Sequence, residues 1–404
     1  MSASETILRI AAKGDGVTET GRHVPLTAPG DNIAADGSVI AGVHHQQPPC
    51  RHFPECGGCQ LQQLDEESWR GFVTDRVVNA AQGQGVEPVT LEPAALSPPR
   101  SRRRATLHVE GRGKDVRIGF RQARSHRIVD MMQCEILTPD LFALIAPLRQ
   151  MFRELRLRRL ACDINLAEAD QGVDCGIKGW RPDGLAQTEQ VIAFAQANGL
   201  ARLTLDDGYG AEAHWEPDRV TITLAGVTVP MPPGAFLQPT REGEQALTSA
   251  ATSYLDGAGT VADLFAGLGT FAFALSPPQS AKGTKVLAAE AARDLSLACR
   301  QAADRHGARV FCQHRDLFRN PLLPDELDRF AAVLIDPPRA GAREQVERLA
   351  ESRVERICYI SCNPSSWARD AAVLVAAGWR LEKLRPVGQF RWSTHVELAS
   401  LFVR

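Results

Sequence analysis

No stretch of this 404-residue chain stays apolar for the roughly 18–20 residues that a membrane-crossing helix requires. Met1–Ile10 is polar and short, and nothing in it resembles a secretory signal. Neither charge sign dominates: 46 lysines and arginines stand against 48 aspartates and glutamates, a net charge of −2. A globally basic nucleic-acid binder is therefore excluded, and any grip on phosphate must be local. There is no internal repeat and no low-complexity tract, which excludes solenoids and extended linkers. These absences lead us to expect a soluble, cytoplasmic, monomeric protein of two or three domains that has no dealings with a membrane.

Cysteine, by contrast, is plentiful. Ten cysteines in a long chain without a secretory signal point to bound metal or reactive thiols rather than to a disulfide framework. Two local basic clusters also stand out, Arg100 with Arg102–Arg104, and Arg153 with Arg156, Arg158 and Arg159. Each is suited either to phosphate or to a solvated face.

Residues Thr6–Val43 read as short strands broken by glycine turns, the rhythm of a small β-barrel. A cysteine-rich loop follows, then a helix over Asp65–Ala81 with Trp69, Phe72, Val73, Val77 and Ala80 on one face, and a linker at Leu96–Pro99. From Arg104 to about Val229 strand patterns prevail, interrupted by helices at Pro139–Arg156 and Thr188–Asn198. After Gln238 short apolar runs alternate with helices: Val261–Phe265, Val286–Ala289, Val310–Cys312, Ala332–Ile335 and Ile357–Ile360. That pattern predicts a doubly wound, mostly parallel α/β sheet, which binds ligands at the carboxyl ends of its strands. The expected domains are a barrel over 1–46, a central α+β domain over 47–232 (65–97 packing on the last domain), and an α/β domain over 233–404.

Asp263-Leu264-Phe265-Ala266-Gly267-Leu268-Gly269-Thr270 ends the first strand of that sheet, and its glycines allow the backbone close to a ligand. Glu290 ends the second strand, where a carboxylate accepts from both hydroxyls of a ribose, and Asp316 follows the third, placed for an adenine amino group. The phosphate-binding GxGxxG form is absent, which favours S-adenosylmethionine over a dinucleotide. Asp336-Pro337-Pro338-Arg339 ends the fourth strand and Ser361-Cys362-Asn363-Pro364 the fifth. Cys362 precedes a Pro turn opening a helix, so a lowered thiol pKa and a nucleophilic role are expected. Cys299, Cys312 and Cys358 suit buried, inert positions. Glu397 falls in the apolar strand Val396–Phe402, a costly place for a carboxylate unless it has a partner or a task. Beside it, His395 suits a structural hydrogen bond.

Cys50, Cys56 and Cys59 place three thiols within ten residues. A distant fourth ligand would complete either a zinc site or a cubic iron–sulfur cluster, and Cys134 is the best placed, ahead of Cys162 and Cys175.

At these residues the chain resembles, over nearly its whole length, the RNA 5-methyluridine methyltransferase family, in its iron–sulfur bacterial branch that modifies large-subunit ribosomal RNA. The resemblance implies a class I methyltransferase domain and a shortened TRAM-like barrel. It implies a [4Fe-4S] cluster on Cys50, Cys56, Cys59 and Cys134. It further implies S-adenosylmethionine contacts from Gln238, Phe265, Gly267, Thr270, Glu290, Asp316 and Asp336, Cys362 as nucleophile and Glu397 as general base. Arg391 and Ser393 stand where the family often has Pro and Thr, and Thr270 and Asp316 where asparagine is common.

The implied reaction is methylation of uridine carbon 5, most naturally in 23S ribosomal RNA, with transfer RNA as the alternative. Carbon 5 of uracil becomes nucleophilic only after a thiolate adds at carbon 6. Two rivals differ in class. An amino-methyltransferase acting on adenine or protein glutamine would use Asp336–Arg339 without Cys362 or Glu397. A non-catalytic RNA binder would keep the barrel and cluster but has no use for the acidic strand ends.

Overall fold

The computed structural model describes residues 4–123, 125–278 and 283–404; residues 1–3 of the expected barrel lie outside them. Among the described residues no helix is long and apolar enough to cross a membrane.

Strands β1 (Glu5–Ile10), β2 (Gly16–Thr18), β3 (His23–Val24), β4 (Asn32–Ile33) and β5 (Val39–Ile40) form an antiparallel sheet in the order β3-β2-β1-β4-β5. Its small core is Ile7, Val24 and Ile33. After the cysteine loop, Asp65 caps α1 (Glu66–Gln82) by accepting from the Ser68 amide at 2.8 Å, with Glu66 and Glu67 favourably placed in the first turn. The helix buries Trp69, Phe72, Val73, Val77 and Ala81. Strands β6 (Thr90–Leu91) and β7 (Ala95–Leu96) follow. Leu96 therefore belongs to a strand and not to a linker.

The central domain is a six-stranded sheet in the order β13-β12-β11-β10-β8-β9. It comprises β8 (Arg104–Arg112), β9 (Asp115–Gly119), β10 (Leu160–Ala169), β11 (Gly172–Lys178), β12 (Arg202–Asp206) and β13 (Glu212–Trp215), together with α2 (Pro139–Ala143), α3 (Ile145–Leu155) and α4 (Gly184–Ala197). The expected helix Pro139–Arg156 is thus two helices that break at Leu144, and α3 stops where Arg156 turns left-handed (φ 47). Leu148, Phe152 and Val191 from α3 and α4 bury one face of the sheet with Leu107, Ile164 and Ile177. The other face stays open.

A hairpin of β14 (Thr221–Leu224) and β15 (Val227–Pro230) turns through Ala225 and Gly226, both at positive φ, as a tight two-residue connection requires. Then come α5 (Arg241–Tyr254), β16 (Thr260–Leu264), α6 (Thr270–Leu275), β17 (Lys285–Glu290), α7 (Arg293–His306), β18 (Val310–His314), α8 (Pro324–Leu327), β19 (Ala332–Ile335), α9 (Arg343–Glu351), β20 (Arg356–Ser361), α10 (Pro364–Ala376), β21 (Arg380–Gly388) and β22 (Glu397–Val403). The hairpin packs on α7, and Ile222, Leu224, Val227 and Val229 share a core with Leu247, Ala298 and Ala302. The hairpin also reaches the central domain, where Thr221 and Thr223 bond to Asp170 and where Ala169 and Ala201 join the same core.

The last sheet runs β18-β17-β16-β19-β20-β22-β21-β6, with β7 also on β21. Strands β16 to β20 are mutually parallel and β22 is antiparallel to both its neighbours. The order reverses between β16 and β19, which opens a crevice at the carboxyl ends of those strands.

Candidate active site

The first loop of the crevice turns through three left-handed positions, of which only Phe265 carries a side chain. Phe265 sits at φ 65, Gly267 at φ 56 and Gly269 at φ 91. A Cβ on Gly269 would lie 2.7 Å from the Cys299 sulfur, so only glycine fits. Glu290, at the end of β17, accepts from the Gly267 amide at 2.9 Å and the Ala292 amide at 2.6 Å, which fixes the loop and aims the carboxylate. Asp316 accepts from the Phe318 amide at 3.0 Å. The Phe318 ring, which the sequence reading passed over, packs 5.3 Å from that of Phe265. Thr270 opens α6, and Asp336 follows β19 with its amide on the Leu264 carbonyl at 3.1 Å. Burial, then the nearby Glu397 and Asp263 charges, push the Asp336 carboxyl well above its ordinary range. Asp263 is fully buried, and burial pushes it up to about 8. Glu290, Asp316 and Asp336 thus stand at the ends of three strands of the sheet and gather their carboxyl groups at one crevice.

Around the corner lies a cleft of about 870 Å³ between this rim and the open face of the central sheet. Arg102, Arg104, Phe236, Arg339, Cys362, Phe390, His395 and Glu397 all face it. Asn363 caps α10 by accepting from the Ser365 amide at 3.1 Å while its side-chain amide donates to the Arg339 carbonyl at 2.9 Å, tying the fourth and fifth strand ends together. Cys362 stands just before that cap.

The expectation that the helix N-terminus lowers the Cys362 thiol is overturned. Burial first, then the Glu397 and Asp336 carboxylates, push it up to about 11, against a smaller opposing pull from Arg339. Partial burial among acids outweighs one helix end. Glu397 is 5% exposed, which rules out a surface-pointing position. Burial pushes it up to about 7, moderated by the Gln389 side chain and by Arg339 and Arg104. His395 accepts from Arg339 at 2.7 Å, and burial and that guanidinium push its pKa down, so it is a neutral acceptor.

The arginine run 100–104 is neither uniformly solvated nor free for phosphate. Arg103 is 1% exposed, paired with Glu244 and bonded to the Gln238 carbonyl at 3.0 Å. Arg104 lies 4.4 Å over the Phe236 ring and donates to the Leu237 carbonyl at 3.1 Å. Gln238 itself accepts from Gln389 at 2.9 Å. Gln389 is thus a site residue with no chemical signature in the sequence. The second cluster, Arg153 to Arg159, is exposed at the end of α3 and does not line the cleft. Arg391 lies 5.0 Å from the Trp69 ring and 4.8 Å from that of Trp392, which gives this departure from the family pattern a packing role.

Cys50, Cys56, Cys59 and Cys134 line one cavity with Phe53, Phe120, Met131 and Ile136. Cys162 and Cys175 are in the core of the central sheet. Burial pushes the Cys56 and Cys59 thiols up, and that of Cys134 to about 11, while backbone amides of Gly58 and of Leu137 and Ile136 oppose this at Cys56 and Cys134. Among the described residues no three His, Cys, Asp or Glu side chains are drawn to metal-ligand spacing.

The strand order and the acid-lined crevice define a class I, S-adenosylmethionine-dependent methyltransferase. A family model, tRNA (uracil-5-)-methyltransferase, matches residues 231–404. An RNA methyltransferase of Zymomonas mobilis is 47% identical over 398 residues, covering 98% of this chain and 99% of its own. The 23S rRNA (uracil(1939)-C(5))-methyltransferase of Shewanella denitrificans is 28% identical, covering 94% and 90%. Among solved structures, the tRNA (uracil-54, C5)-methyltransferase of Pyrococcus abyssi with S-adenosyl-L-homocysteine shares the fold at a TM-score of 0.76 and 20% identity, over 99% of each chain. The chain belongs to the RNA uracil-C5 methyltransferase family and is an S-adenosylmethionine-dependent enzyme that acts on RNA.

Proposed function

We propose that the chain methylates carbon 5 of a uridine in 23S ribosomal RNA through a covalent adduct on Cys362. The observation that carries this reading is that Cys362 and Glu397 face one cleft together with the Arg104–Phe236 stack. The target base leaves its own stack to enter, and Phe236 replaces the lost stacking. S-adenosylmethionine, held by Gln238, Phe265, Gly267, Thr270, Glu290, Asp316 and Asp336, supplies the electrophilic methyl group.

The Cys362 thiol gives up its proton to solvent in the cleft, its Sγ then bonds to carbon 6, and the ring's electron pair moves to the carbonyl oxygen at carbon 4, where the guanidinium of Arg104 or Arg339 stabilises it. Carbon 5 then takes the methyl group. Glu397 removes the carbon 5 proton, the double bond re-forms and the thiolate leaves. A carboxylate at about 7 is matched to that transfer near neutral pH.

We also place a [4Fe-4S] cluster on Cys50, Cys56, Cys59 and Cys134. Four thiols round one apolar cavity suit it. It would supply a structural centre for the loop. Mapping 5-methyluridine in the ribosomal and transfer RNA of a deletion strain tests the substrate. Loss confined to transfer RNA would refute the ribosomal assignment, and loss from neither would refute the activity.

A further inference from the structure

The cysteine loop is wired into the segment that joins β21 to β22, residues 389–396, which carries Phe390, Ser393 and His395 into the cleft and ends at Glu397. The amides of Gln60 and Leu61, next to Cys59, both donate to the Trp392 carbonyl, at 2.8 and 3.0 Å. The Thr394 amide donates to Gln60 Oε1 at 3.4 Å, and Gln60 Nε2 donates back to the Gly57 carbonyl at 2.7 Å. One glutamine thus spans the thiol loop and the cleft segment. A second link runs through Arg102, whose guanidinium lies 5.5 Å from both the Phe120 ring, which lines the thiol cavity, and the Phe390 ring, which faces the cleft. Phe390 in turn meets His395 edge-on at 5.9 Å.

The segment needs such an anchor. Trp392 sits at φ 56, a left-handed conformation that a bulky side chain adopts only when its surroundings over-determine it. Between Gln389 and Glu397 the backbone leaves the sheet, so Gln60, Leu61 and Arg102 supply what the strands do not.

We propose that the cysteine centre is the mount of this catalytic segment, with Gln60 as its positioning residue, so that the state of the thiols is felt in the cleft. This rests on the reading of the four thiols as a cluster site and of Glu397 as the base. The Gln60 side chain acts through Thr394, while the bond to Trp392 is made by its backbone amide and survives substitution.

The test uses the full chain purified anaerobically, with hydrogen exchange read by mass spectrometry. Gln60→Ala should raise exchange in residues 392–396 several-fold and lower kcat about tenfold. The KM for S-adenosylmethionine, the iron content and the Tm should stay those of the parent. Gln60→Glu, which keeps an oxygen acceptor for the Thr394 amide, should recover most of the protection and rate. Stripping iron from the parent with ferricyanide and EDTA should expose the same residues while β20 stays protected. Unchanged exchange and kcat in Gln60→Ala would overturn the proposal, as would equal losses in cofactor KM and Tm, which mark a general folding role. Failure of the two underlying readings shows elsewhere: an iron-free parent or a Glu397→Gln variant without adduct refutes those readings, while exchange in Gln60→Ala still decides this one.

Discussion

The side-chain amide of Gln389 donates to Oε1 of Gln238 at 2.9 Å, across 151 positions of sequence. The same side chain is close enough to Glu397 to hold its carboxyl down against the effect of burial, so one residue relates the cofactor side to the proposed base. The two halves of the chemistry are held in one frame, and the consequences can be measured step by step.

Cys362→Ala should abolish both methylation and any covalent protein–RNA complex, because no enolate forms without the thiolate. Glu397→Gln should instead accumulate a denaturation-resistant adduct whose RNA already carries the methyl group. A denaturing gel with labelled cofactor separates these cases. An active Cys362→Ala enzyme would remove the covalent route, and a normal Glu397→Gln enzyme would send the search for the base to His395.

The pH dependence follows from Glu397 at about 7. The base must be ionised, so kcat should rise between pH 6 and 8. Its raised pKa also means the folded state favours the protonated acid. That stability is complete below the ordinary carboxylate value near 4.5 and is lost as pH rises through 7. Glu397→Gln should therefore be more stable than the parent at pH 8 by up to about 3 kcal/mol, with no advantage at pH 4. Urea melts at the two pH values check the sign.

Phe236→Ala should weaken the grip on the flipped base. Stacking on an aromatic ring is worth roughly 1–3 kcal/mol per base, so kcat/KM for RNA should fall about tenfold or more while cofactor binding is unchanged. Phe236→Tyr should be nearly silent. A Phe236→Ala enzyme with normal RNA kinetics would place the base elsewhere.

Glu290→Ala should cost cofactor affinity and leave RNA affinity alone. Each charge-assisted hydrogen bond to a ribose hydroxyl is worth roughly 1.5–3 kcal/mol. Because Glu290 also fixes the Gly267 and Ala292 amides, Glu290→Gln should retain part of the loop geometry yet lose affinity. Calorimetry decides between the two variants.

Anaerobically purified protein should carry about four irons per chain, with broad visible absorption. Cys134→Ser should lose them, whereas Cys162→Ser should not, since Cys162 is in the core of the central sheet. One tightly bound zinc without sulfide would refute the cluster.

By itself, the sequence determined the elements and the chemistry of their ends. Short uninterrupted apolar runs predict β16 to β20 and a period-3.6 apolar face predicts α1, each nearly to the residue, because the strands are buried on both faces and the helix on one. The acids after successive strands were visible for the same reason: a parallel sheet delivers its strand ends to one rim. What only the tertiary structure decided involves partners far apart in the chain. The hairpin β14–β15 had an apolar face whose owner, α7, lies more than sixty residues on. Arg103 looked like part of a phosphate cluster until Glu244 and the Gln238 carbonyl enclosed it. Cys362 looked activated by a helix end, yet its protonation is set by burial and two carboxylates from other strands, since such fields depend on distance through space and not along the chain.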